Sequence, residues 1–171
     1  MKERITLTAV DAKPPVALRA IAEADLDDLR RWKNANRSAF FFKGDITPEI
    51  QAQWYSEYLK RPRDTMFIVD SEKLRAGCMG FRMLEGMADC YNMMASPEGS
   101  GRGLMKAAMR LMCGYILDSH AGRIGSKALD GLPAMGWYLK CGFVAGTRGK
   151  GYTQMTLDRD RFVPLLYRVE P

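Results

Sequence analysis

Ala95-Ser96-Pro97-Glu98-Gly99-Ser100-Gly101-Arg102-Gly103-Leu104 joins a strand-like run, ADCYNMMA at 88–95, to a run of helical periodicity that begins at Leu104. Glycines at 99, 101 and 103 stand where strand becomes helix. Glycine permits tight turns and close backbone approach, and the first N–H groups of a helix lack internal partners. The helix dipole adds partial positive charge, so an anionic phosphate is favoured at this junction. Arg102 adds a full charge. Beyond the loop Leu104, Ala107, Ala108, Leu111, Met112, Tyr115 and Ile116 recur at helical spacing.

Upstream, MFIVD at 66–70, AGCMGFRML at 76–84 and the run at 88–95 are separated by short polar or glycine turns, which favours an antiparallel meander. VALRA at 16–20 alternates as a strand. The Asp25-led DLDDLRRWKN that follows places Leu26, Leu29 and Trp32 on one helical face. Thr47 caps a second helix with Pro48 in its first turn, and Ile50, Trp54, Tyr55, Tyr58 and Leu59 are expected on its buried face. Downstream come a strand at 123–128, a helix opened by Asp130 and Pro133 that runs through Leu139, and the closing strands GFVAGT and GYTQMTL. Helices inserted into a mixed sheet, with no regular βαβ alternation, define an α+β protein.

Composition narrows the function classes. The 171 residues, 47% hydrophobic and 27% charged, suit one domain over 1–171 with a core at about 16–158. No apolar run reaches the roughly 18 residues of a membrane span, and MKERITLTAVDAKPP lacks the apolar segment of a secretory signal, so a cytoplasmic protein is expected. Cys78, Cys90, Cys113 and Cys141 form no C-x-x-C pair and His120 is the single histidine, so no metal site is expected and the cysteines read as buried small hydrophobes. The net charge of +6 favours anionic partners. The basic residues are scattered and form no run interleaved with aromatics, which disfavours nucleic acid over a small polyanion.

Taken alone, the glycine loop also fits a flexible turn. A P-loop fails because Lys106 follows Met105 and precedes Ala107, with no Ser or Thr after it. A dinucleotide fingerprint needs a third glycine where Leu104 stands, and it opens a Rossmann domain. The stretch 95–104 resembles the acyl-CoA pyrophosphate loop of the GNAT superfamily of N-acetyltransferases, and AMGWYLKCGF at 134–143 is similar to that superfamily's later helix and Gly-Phe pair. With the order of elements, the resemblance runs from about Val16 to Leu157.

The resemblance implies a mixed, mostly antiparallel sheet flanked by helices and splayed between the fourth and fifth of these strands, at 88–95 and 123–128. It implies acetyl-CoA as cofactor. Ser100, Gly101, Arg102, Gly103, Leu104 and Met105 would face its pyrophosphate, and backbone groups of Met93, Met94 and Ala95 its pantetheine arm. Ser100, Met105 and Gly131 depart from the superfamily's usual residues, which makes Asp130 a substitute pantetheine contact and a catalytically silent CoA-binding module the alternative function. By position, Tyr138 would protonate the departing thiolate. Asp89 would be the base that takes the amine proton, on the strand face shared by Tyr91, Met93 and Ala95. Glu85 in the preceding turn is the second candidate.

The acceptor would be a primary amine of a small molecule, such as a nucleotide-linked amino sugar or an aminoglycoside, or of a peptide N-terminus. Phe40, Phe41 and Phe42 are too many consecutive aromatics for a wholly exposed loop, and with Arg37 and Lys43 they would suit a flat anionic acceptor. A homodimer paired near GYTQMTL is a further possibility that the resemblance raises.

Overall fold

The computed structural model describes residues 2–120 and 122–171. The strands are β1 (Thr6–Ala9), β2 (Ala17–Ala20), β3 (Asp64–Ser71), β4 (Leu74–Leu84), β5 (Met87–Ala95), β6 (Arg123–Leu129), β7 (Phe143–Arg148), β8 (Tyr152–Leu157) and β9 (Tyr167–Glu170). The helices are α1 (Leu26–Ala35), α2 (Pro48–Leu59), α3 (Leu104–Ser119) and α4 (Ala134–Lys140). One sheet contains all nine strands in the order β7-β8-β6-β5-β4-β3-β2-β1-β9, and every pairing is antiparallel except β5 with β6.

The sheet buries both faces. Against one pack α3 and α4, where Leu7, Leu18, Phe67, Phe81, Met109 and Met112 are almost wholly buried. Against the other pack α1 and α2, through Leu29, Trp32, Tyr58, Met66 and Ile68. A central sheet covered on both sides explains why β3 reads as a nearly unbroken apolar run. Asp25 ties β2 to α1: it is 1% exposed, takes two hydrogen bonds from Arg19 at 2.9 and 3.0 Å, and accepts the Ala22 N–H at 2.8 Å.

Several expectations change. Strands β1 and β9 were not anticipated. Along α2 the buried stripe is Gln51, Trp54, Tyr55 and Tyr58, whereas Ile50 and Leu59 are about half exposed. Positions 51, 54, 55 and 58 share one helical face, and Ile50 lies roughly 100° away from Gln51 around the helix. Strand β8, which carries GYTQMTL, pairs with β6 on one side and β7 on the other, so it has no free edge for a partner.

Candidate active site

Strands β5 and β6 pair only from Met87↔Arg123 to Cys90↔Ser126. β5 then runs on to Ala95 while β6 turns towards β8, opening a fork. Within the fork β5 is bulged. Cys78 opposes Met94 and Gly80 opposes Tyr91, so Asn92 and Met93 face the single residue Met79, and Asn92 adopts φ +51°. The Cys78 thiol donates to the Asn92 carbonyl at 3.3 Å.

The bulge breaks strict alternation. Tyr91 and Met94 pack on the α1/α2 face, and Met93 packs on the opposite face, so Met93 does not share the face of Tyr91 that uninterrupted alternation assigns to it. A Cβ at Gly77 would sit 2.2 Å from the Met94 carbonyl, and Ser96 N–H bonds Ala76 O, so these groups point to β4. The backbone groups of Met93 and Ala95 alternate with them and point into the fork.

Past β5, Ser96 pins the loop. Its carbonyl accepts the Gly99 and Ser100 N–H groups at 3.1 Å, and its hydroxyl accepts Gly99 N–H at 3.0 Å. Gly99 presses on β4, where a Cβ would lie 2.1 Å from the Ala76 carbonyl oxygen. Gly101 and Gly103 both adopt φ +73° and face open space. The Gly101, Arg102, Gly103, Leu104 and Met105 N–H groups donate to no described residue, and Gly101 to Gly103 are exposed. An open turn of unpaired donors at the start of a 16-residue helix, continuous with the free edge of β5, fits a diphosphate and its extended arm.

Tyr138 on α4 reaches the fork from the other side and is 4% exposed. Ser126 donates its hydroxyl to the Cys90 carbonyl at 2.8 Å, which leaves Tyr138 as the donor in the 2.7 Å contact between the two hydroxyls. Burial pushes the Tyr138 phenol above its ordinary range, so it keeps its proton. Asp89 is 8% exposed beside the fork and receives Arg82 Nε at 3.0 Å, while the Arg82 guanidinium lies 4.5 Å over the Tyr91 ring. Asp89 is therefore a fixed carboxylate and not a solvated turn residue. Glu85 is exposed in the β4–β5 turn, outside the cleft. Asp130 is exposed at the end of β6, 3.9 Å from Arg148, and also lies outside the cleft.

Two spaces adjoin this point. A cleft of about 410 Å³ spans the fork mouth and brings together Arg82, Asp89, Met93, Ser126, Trp137 and Tyr138. The segment 39–42 closes it, with Phe41 edge-on to Tyr152 at 5.9 Å. A cavity of about 310 Å³ between α1, α2 and the sheet is walled by Leu29, Phe42, Ile46, Ile50, Trp54, Met66 and Met94. Lys33, Phe42 and Asn92 line both.

Lys33 and Gln51 carry no motif and escaped sequence reading. The one available signal for Gln51 was a polar residue in an aromatic stripe. Lys33 Nζ donates to Asn92 Oδ1 at 2.7 Å and sits 4.5 Å over the Phe40 ring. Burial lowers its pKa. The expected cations of the aromatic wall, Arg37 and Lys43, instead point to Asp45 and to the Ser38 carbonyl.

A bulged, forked sheet with an open amide-lined turn and a buried tyrosine defines an acyl-CoA-dependent acyltransferase. The family model for the Acetyltransferase (GNAT) domain matches residues 16–144, and the chain belongs to that family. It is an acyltransferase whose donor is acetyl-CoA. The same fold occurs in a spermidine N-acetyltransferase from Vibrio cholerae in complex with CoA and spermine, with TM-score 0.73 and 18% identity over 85% of this chain and 96% of that one. It occurs in FdhC, a nucleotide-linked sugar GNAT, with TM-score 0.76 and 10% identity over 94% and 93% of the two chains. The aminoglycoside acetyltransferase AAC(6')-Ib in complex with coenzyme A matches with TM-score 0.69 and 19% identity over 85% and 96%. No curated protein sequence matches. No described helix is long and apolar enough to cross a membrane.

Proposed function

We propose that this protein acetylates the primary amine of a nucleotide-linked amino sugar by direct transfer at the β5/β6 fork, acting as a single cytoplasmic domain. The observation that carries the acceptor class is the charge of the two spaces. Among the described residues Asp89 is the one carboxylate lining them and is already matched by Arg82, while Lys33 has no acidic partner. A polycation finds no spare countercharge there, whereas an anionic acceptor does. The aromatic segment 40–42 and a fold shared with FdhC over 94% of the chain support the same reading.

Bound acetyl-CoA supplies an acetyl thioester at the fork. The free N–H groups at 101–105 hold the diphosphate, with Arg102 beside them, and the β5 edge at Met93–Ala95 orients the arm. The inward N–H of Met93 or Ala95 polarises the carbonyl. Asp89 receives the amine proton, because an alkyl ammonium with a pKa of about 10 must lose it before attack. Tyr138 holds its proton at Oη for the departing sulfur. Glu85 and Asp130 take no part in these steps.

The test is thiol release from acetyl-CoA with purified protein and a panel of UDP- and dTDP-linked amino sugars, spermidine, an aminoglycoside and a peptide. Turnover confined to a nucleotide-linked amino sugar is expected. Efficient turnover of any of the others, with none of the nucleotide-linked amines used, overturns the proposal.

A further inference from the structure

Lys33 and Gln51 are two polar side chains that the acetyl-transfer chemistry does not use. Lys33 stands where the fork cleft meets the apolar cavity, bonded only to the neutral Asn92 amide. No described carboxylate lies within ion-pairing distance of it. A half-buried ammonium without a counter-ion leaves part of its desolvation cost for an anionic ligand to offset. Gln51 is 7% exposed, lines the cavity, and its carboxamide bonds to no described residue. An amide set in an apolar wall and still open to solvent, with its donor and acceptor unbonded within the protein, is complementary to a ligand edge that offers an acceptor beside a donor.

The surrounding walls are mostly apolar. Phe42 and Trp54 contribute rings, and Leu29, Ile46, Met66 and Met94 fill the remainder. Such a wall with a few placed polar groups is the general form of a small-molecule site. A polar amine or sugar has nothing to bond to on most of it, but an aromatic heterocycle does, since its faces need only apolar cover and its edge meets Gln51.

We propose that this cavity is the nucleotide subsite of the acceptor: Lys33 meets a phosphate at its mouth, and the cavity receives the nucleobase with its edge on Gln51. The assignment rests on the acceptor class proposed above. It places the acceptor's anionic centre at the junction, its base beneath α2, and its amino sugar in the fork cleft beside Asp89.

Calorimetry with UDP and with GDP on protein saturated with coenzyme A tests it, because the saturated α3 turn cannot then capture a diphosphate. Binding of at least one nucleoside diphosphate is expected. Lys33→Met should weaken it at least tenfold, Lys33→Arg should recover most of the affinity, and Gln51→Leu should weaken the nucleoside diphosphate while leaving inorganic pyrophosphate unaffected. Unchanged melting temperatures identify variants that remain folded. Absence of nucleotide binding, or binding by folded Lys33→Met and Gln51→Leu equal to that of the wild type, overturns the subsite. The two proposals fail separately: acetylation of a nucleotide-linked amino sugar with unchanged KM in Lys33→Met removes the subsite alone, whereas nucleotide binding without acetylation of any such sugar removes the acceptor class alone.

Discussion

Tyr138 and Asp89 face one cleft, and the proposed mechanism gives them opposite proton duties that their surroundings suit. The phenol is enclosed by α4 and bonded to Ser126, so burial raises its pKa and it stays protonated across the working range. Tyr138→Phe keeps the ring contacts with Trp137 and Phe143 but removes the proton. A kcat loss of about 10²-fold is expected, with KM for acetyl-CoA little changed, as a general acid contributes on that order. Full turnover at saturating acetyl-CoA would remove the role. Asp89→Asn keeps the shape and removes the base, so kcat/KM should fall at neutral pH and recover towards the amine's own pKa. An unchanged pH–rate profile would exclude Asp89. Tyr138 could be found in the sequence because it stands inside a family motif. Asp89 could be placed on its strand, but its partner Arg82 comes from the antiparallel neighbour and was not readable.

At the scale of elements, the glycine loop was legible because each glycine meets a separate backbone demand. Gly99 lies against β4, so Gly99→Ala must push two backbones apart at a cost of about 2 kcal/mol. Gly101 faces open space but at φ +73°, so Gly101→Ala should cost only about 1 kcal/mol. Urea melts should rank them in that order, and coenzyme A affinity should fall more for Gly99→Ala, which displaces the whole turn. Equal destabilisation would mean the loop does not bear on Ala76. The bulge was not legible, because ADCYNMMA contains no glycine or proline to mark a break and the left-handed residue within it is an asparagine. Strand β1 did leave a signal, with Ile5, Leu7 and Ala9 buried between half-exposed threonines. β9 left none, since Arg168 to Glu170 are all exposed and its pairing with β1 depends on a contact more than 150 residues away in sequence. The buried face of α2 was misphased because Gln51 occupies the place an apolar residue would mark.

At the scale of the molecule, the α1–α2 layer must stay seated on the sheet for either space to exist, and Asp25 is one polar fastening of that layer, beside the Arg75–Asp28 pair and the Tyr58 hydroxyl that accepts Met66 N–H. Burial alone would raise its carboxyl pKa, but the Arg19 hydrogen bonds, the Ala22 N–H and the charge of Arg75 outweigh it and hold the carboxyl below its ordinary value. A group whose folded pKa is depressed adds stability above its unfolded pKa, about 3.9, and loses that contribution as pH falls through the folded value. Exposed Asp27, Glu49 and Glu57 are depressed too, but they titrate identically in wild type and in a variant at position 25. Their effect cancels in a difference. Asp25→Asn should therefore lower stability by about 2 kcal/mol at pH 7, since Arg19, a third exposed, loses its charge-assisted bonds to position 25 and keeps Asp70 at 3.1 Å. The gap between the two Tm curves should narrow steadily as pH drops from 5 to 3, because protonation makes the wild-type carboxyl resemble the variant. A gap that stays constant over that range would show that Asp25 holds the layer by shape and not by charge.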